Sequence, residues 1–118
     1  MFIEIPKLII HILYEPATPE QITEMLEVHQ FYIKTVVDIQ HRILADGGEM
    51  HSDCEVVLLD NGSRQSDIWG ASWNSISQEI FYESMVNLRP RQNRSMPILD
   101  VTIREQVKQI IDRLLGGV

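Results

Sequence analysis

One cysteine, Cys54, stands in the whole chain, so no intrachain disulfide can form and a reducing, cytoplasmic setting is the expectation. Aromatic residues are sparse at 7%, and none interleaves the arginines, which removes the stacking platforms used to bind single-stranded nucleic acid. Cations are outnumbered, 10 Lys and Arg against 17 Asp and Glu, for a net charge of -7. Such a surface has no general attraction for phosphate backbones or anionic lipid, so neither nucleic acid nor a membrane is expected as a partner. No apolar run approaches the ~20 residues of a membrane helix. The opening "MFIEIPKLIIHILY" resembles a secretory leader, but it lacks a basic start, carries Glu4, and is broken at Pro6, Lys7 and His11. Also missing are GxSxG, the Walker loop, the dinucleotide fingerprint and paired CxxC, so the sequence names no cofactor and no metal.

What is present fits one domain over the 118 residues, with residues 1–6 as an N-terminal arm. "KLIIHILY" (7–14) is β-branched and apolar and predicts a strand. Thr18, Pro19 and Gln21 compose an N-cap, a first-turn proline and a capping box, which predicts a helix over 19–29. "FYIKTVVDIQ" predicts a second strand. After the turn at Asp46-Gly47-Gly48, "EMHSDCEVVLLD" reads as a long extended run, turned by Asn61-Gly62 into the hairpin arm "SRQSDIWGASW". A further strand is predicted over 79–88, ended by Pro90. Asp100 or Thr102 caps a last helix, with Ile103, Val107, Ile110, Ile111, Leu114 and Leu115 on one stripe. The predicted class is α+β: a mainly antiparallel sheet of about five or six strands, one helix in the N-terminal half and a C-terminal amphipathic helix packed on the sheet.

The combination of "VVDI", a double glycine before His51, "DNGS.Q.D.WG" and "N.RP…NRS" resembles a family of small, uncharacterised bacterial proteins catalogued only as a domain of unknown function. The likeness extends over residues 10 to 115. Cys54 stands where the family pattern suggests glycine or another small residue, and "MPILD" replaces a more polar lead into the last helix. The resemblance implies one fold for these segments and no activity.

Three constellations carry the candidate chemistry. On a strand, His51, Asp53 and Glu55 of "HSDCE" share a face, which suits acid–base work and is a weak signal for a metal. Gln65, Asp67 and Trp69 share a face of the return arm, with Trp69 either the flat wall of a pocket or simply core. The segment "NLRPRQNRS" supplies Asn87, Arg89, Asn93 and Arg94, donors suited to a carboxylate or phosphate. Residues 84–99 hold three arginines and no acid, while residues 46–67 hold six acids. The two segments are charge-complementary, and the expectation is a shared polar cleft. In it, His51, Asp53 and Asp67 are the catalytic candidates, and Trp69, Asn87, Arg89, Asn93 and Arg94 the ligand-binding ones. The expected ligand is a small anionic or zwitterionic molecule, with hydrolysis the least committal reaction. The alternative is a protein-interaction module or homodimer, the hydrophobic arm pairing with a sheet edge of a second copy.

Overall fold

The computed structural model describes residues 10–116. Five strands form one antiparallel sheet: β1 (His11–Leu13), β2 (Tyr32–Asp38), β3 (Ile43–Asp46), β4 (Ile68–Asn74) and β5 (Ile80–Phe81), in the order β1-β3-β2-β4-β5. Three helices accompany it: α1 (Pro19–His29), α2 (His51–Asp60) and α3 (Val101–Leu114). The α+β class and the C-terminal helix packed on the sheet are as the sequence predicts. The 1–6 arm lies outside the described residues.

The central strands β2, β3 and β4 are largely buried on both faces, and the pleat sorts their side chains into two cores. Ile33 and Val37 of β2, Leu44 of β3 and Trp69, Ala71 and Trp73 of β4 meet Ile22 and Met25 of α1 and the stripe Ile103, Val107, Ile110, Ile111 and Leu114 of α3. On the opposite face Val36, Ile43, Ala45 and Ile68 meet Cys54 and Leu58 of α2. The molecule is therefore a three-layer sandwich, not a sheet with helices on one side.

Local signals explain the ends of α1 and α3. Thr18 Oγ1 accepts from the Gln21 N–H at 3.2 Å while Gln21 Oε1 accepts from the Thr18 N–H at 2.9 Å, the reciprocal capping box. For α3 the cap is Asp100, which accepts from Thr102 N and Ile103 N. Ala17 N donates to Leu114 O at 2.8 Å, tying the start of α1 to the end of α3.

The expected strand over 49–60 is a helix. Asp53 reaches back to the Met50 N–H at 3.1 Å, as an acid in the first turn should, and Cys54 and Leu58, four residues apart, provide the buried stripe. Asn61-Gly62 is consequently not a hairpin turn but the end of α2: Asn61 N donates to Val57 O and Leu58 O, and Gly62 takes φ 99° as the residue beyond the cap. β2 lies between β4 and β3, and β3 is the strand the sequence reading passes over as a connection. Residues 79–88 yield only the two-residue β5 and a 3-10 turn at Met85–Asn87.

Candidate functional site

β5 pairs only with Ser72 and Trp73, so among the described residues the outer edge of β4 has no strand beside it at Ile68–Gly70. An unpaired edge leaves carbonyls and N–H groups open. The arginine segment closes it with side chains. Asn87, fully buried, accepts from the Gly70 N–H at 2.7 Å and donates to Gly70 O at 2.9 Å, the pair of bonds a neighbouring strand would supply. Its amide nitrogen also donates to Met96 O at 3.0 Å and Tyr82 O at 3.3 Å. Arg89 continues the edge: Nη1 donates to Ser66 O at 2.9 Å, Nη2 donates to Ile68 O, and the guanidinium lies 3.8 Å from the centroid of the Trp69 ring.

Asn93, also buried, holds the rest of the loop. Its amide donates to Asn87 O, Ser95 O and Pro97 O, and its carbonyl accepts from Leu99 N. Arg89 and Asn93 exchange both backbone bonds, making a small hairpin with Pro90, Arg91 and Gln92 at its tip. Arg94 Nε donates to Pro90 O at 2.9 Å. Gly70 is required beneath this segment, because a Cβ there would stand 2.6 Å from Cβ and Oγ of Ser84.

The three catalytic candidates do not meet in one bonded cluster. On α2, His51 and Asp53 are two positions apart, about 200° around the axis, so the shared strand face does not exist. His51 Nε2 donates to Ala71 O at 2.7 Å, which leaves Nδ1 without a proton in the neutral ring. Burial pushes the His51 pKa below its ordinary value; the Ala71 bond opposes this and the nearby charges of Lys34 and His29 add to it. Asp53 is occupied by the Met50 N–H. Asp67 belongs to a 3-10 turn at Gln65–Asp67, so it does not alternate with Trp69 along a strand. Trp69 is core, 1% exposed.

Asp67 does bear on Arg89. Burial lowers the Arg89 pKa, and the charges of Glu55 and Asp67 oppose the shift. Neither acid comes within ion-pair distance: among the described residues the ion pairs are His11–Glu24, His41–Asp38 and Lys108–Asp112. The expected pairing of the arginine segment with the acids of 46–67 is thus absent there; Arg89 and Arg94 bond to backbone carbonyls instead. Beside the hairpin lie two adjoining depressions, of about 270 Å³ lined by Gln65, Ser66, Arg89 and Gln92 among others, and about 390 Å³ lined by Leu88, Arg89, Pro90 and Arg94.

The sequence reading passes over one further grouping, Asp38 with His41 and Ser63, which joins "VVDI" to "DNGS". The signal was there in Asp38, an acid closing an apolar strand three residues before a histidine. No described helix is long and apolar enough to cross a membrane. Residues 11–114 match the family described as "Protein of unknown function (DUF5674)". No curated protein and no solved structure matches the chain.

Proposed function

We propose that this chain, which belongs to the DUF5674 family, binds a small anionic or zwitterionic molecule in the depression beside its arginine hairpin. The observation that carries the reading is a set of guanidinium groups without an ion pair: Arg89, Arg91 and Arg94 lie within six residues, and no carboxylate among the described residues ion-pairs with them. In a chain of net charge -7, three such cations on one small hairpin are an exception. Arg89 spends only part of its donor fork on Ser66 O and Ile68 O, and Arg94 keeps both terminal nitrogens after its Nε bond to Pro90 O. Guanidinium donors in this arrangement suit a carboxylate or phosphate. Glu55 and Asp67, near but unpaired, favour a ligand that also carries an ammonium group.

Arg89 is built into the sheet edge, so its removal does not separate binding from folding. The test uses Arg91→Ala with Arg94→Ala. Inorganic phosphate and citrate in the millimolar range are expected to raise the melting temperature of the native chain, as any native-state ligand does, and the double variant should lose that rise while melting normally without ligand. An equal rise in both proteins, or none in either, refutes the reading.

A second reading, self-association, is favoured by the position of β1 at the end of the sheet order. Light scattering is expected to show a dimer that becomes a monomer on deletion of residues 1–6. A monomer with the arm present removes it.

A further inference from the structure

A second cleft, of about 340 Å³, opens between the β2–β3 turn and the end of α2, lined by Tyr14, His41, Ile43, Asn61, Gly62 and Ser63. Beside it lies Asp38, which is fully buried. Its Oδ1 accepts from the backbone N–H groups of Gln40 and His41, at 2.9 and 3.0 Å. Its Oδ2 accepts from His41 Nδ1 at 2.7 Å and from Ser63 Oγ at 2.6 Å. Burial alone would push the Asp38 pKa up, but the bonds from Ser63 and His41, with the charge of His41, hold it below the ordinary value. It is a stable carboxylate inside the protein.

A tight turn needs only the two backbone bonds of such an aspartate. The imidazole bond adds something else. Because a carboxylate only accepts, Nδ1 carries the proton and Nε2 is bare in the neutral ring, on a side chain 57% exposed. The next residue, Arg42, holds φ 59°, a left-handed conformation that a non-glycine residue adopts only at a cost. Elsewhere on the cleft wall, Asn61 Nδ2 donates to the Tyr14 hydroxyl at 2.9 Å, so the phenolic hydrogen remains free for another acceptor. Among the described residues the lining holds no lysine, arginine or acid, which fits an uncharged ligand and distinguishes this cleft from the arginine hairpin.

We infer that this cleft is a general-base site for hydrolysis of small, uncharged acyl esters. His41 is the catalytic base, Asp38 positions it, and the Tyr14 hydroxyl and Asn61 amide receive the carbonyl oxygen. His41 Nε2 takes a proton from water as the water oxygen bonds to the acyl carbon. The carbonyl electron pair moves onto oxygen, which accepts from Tyr14. On collapse the acyl–oxygen bond to the alcohol breaks, and the departing alkoxide takes the proton back from Nε2. Ester and water become acid and alcohol, with no other reactant. Ser63 is not the nucleophile, since its hydroxyl is turned to Asp38 and not to His41.

The full chain is to be assayed with p-nitrophenyl acetate against free imidazole at equal concentration. The wild type is expected to exceed imidazole, His41→Gln to lose about 100-fold, a usual worth for a positioned base, and Tyr14→Phe to lower kcat about tenfold with little change in KM. His29→Gln is the control and should leave the rate unchanged. The positioning role is read on wild-type protein from the ring nitrogen shifts of His41, which should report the Nδ1–H tautomer. A wild-type rate no higher than that of imidazole, a His41→Gln or Tyr14→Phe rate equal to wild type, or an Nε2–H tautomer overturns the inference.

Discussion

Replacing Asn87 by alanine is expected to cost about 3–4 kcal/mol of stability, the sum of two buried backbone groups left without partners. Alanine abandons the N–H and carbonyl of Gly70 at an edge with no described strand to cover it, while the carbonyls of Met96 and Tyr82 lose a second donor but keep the N–H groups of Ser84 and Ile98. Neither Gly70 group can turn to water, because Asn87 and Gly70 are buried. For a domain of this size the melting temperature should fall by roughly 10–15 °C. Asn87→Asp sharpens the test. It keeps an acceptor for the Gly70 N–H but places carboxylate oxygen against three carbonyls, so it should be no better than alanine despite its matching shape. A loss below about 1 kcal/mol for both variants, the ordinary worth of one hydrogen bond, would mean that the segment does not serve as a substitute strand. Thermal or urea unfolding measures it.

That prediction differs from what "NLRPRQNRS" suggests on its own. Arginines and amides gathered in a loop look like a ligand site, and here their first task is architectural: Asn87, Asn93 and Arg89 bond the main chain where regular pairing stops. Sequence carries no sign that β5 will be only two residues long, so the need for stand-in bonds was invisible. The ends of α1 and α3 were legible because their caps lie within three residues of the groups they satisfy. The α3 stripe was legible because six apolar residues repeat at one period. α2 was misread for a complementary reason. Its apolar face is little more than Cys54 and Leu58, too short to declare a helical period, while His51, Asp53 and Glu55 alternate as an exposed strand would. That error displaced the candidate site, since it put His51 and Asp53 on one face. Of the Asp38–His41–Ser63 cluster only the Asp38–His41 spacing was legible; Ser63 reaches Asp38 across 25 positions, a distance that no local pattern reports.

Asp46 should make the protein less stable as the pH rises, and Asp46→Asn should remove the dependence. Asp46 closes β3 on the sheet face that α1 and α3 cover, with both carboxylate oxygens buried and unbonded among the described residues. Its cross-strand neighbours are His11 and Thr35, yet His11 Nε2 pairs with Glu24 and Thr35 Oγ1 donates to Ala45 O. Burial alone therefore pushes its pKa well above the ordinary carboxylate value. A group raised in the folded state stabilises fully below its unfolded pKa and loses that contribution as pH climbs toward the folded one. In that window the folded chain holds one more proton than the unfolded chain, so stability falls by about 1.4 kcal/mol per pH unit. His51, lowered by burial, and Asp38, lowered by its donors, act in the opposite sense, losing stability as pH falls. Both are common to wild type and variant and cancel in the difference. Denaturant unfolding of the two proteins, measured at several pH values above the ordinary carboxylate range, should thus show a gap in favour of Asp46→Asn that widens as the pH rises toward the folded-state pKa, by up to about 1.4 kcal/mol per pH unit. A gap that stays constant across those values would show that the carboxylate is already ionised in the folded chain, and so has water or a counter-charge beside it.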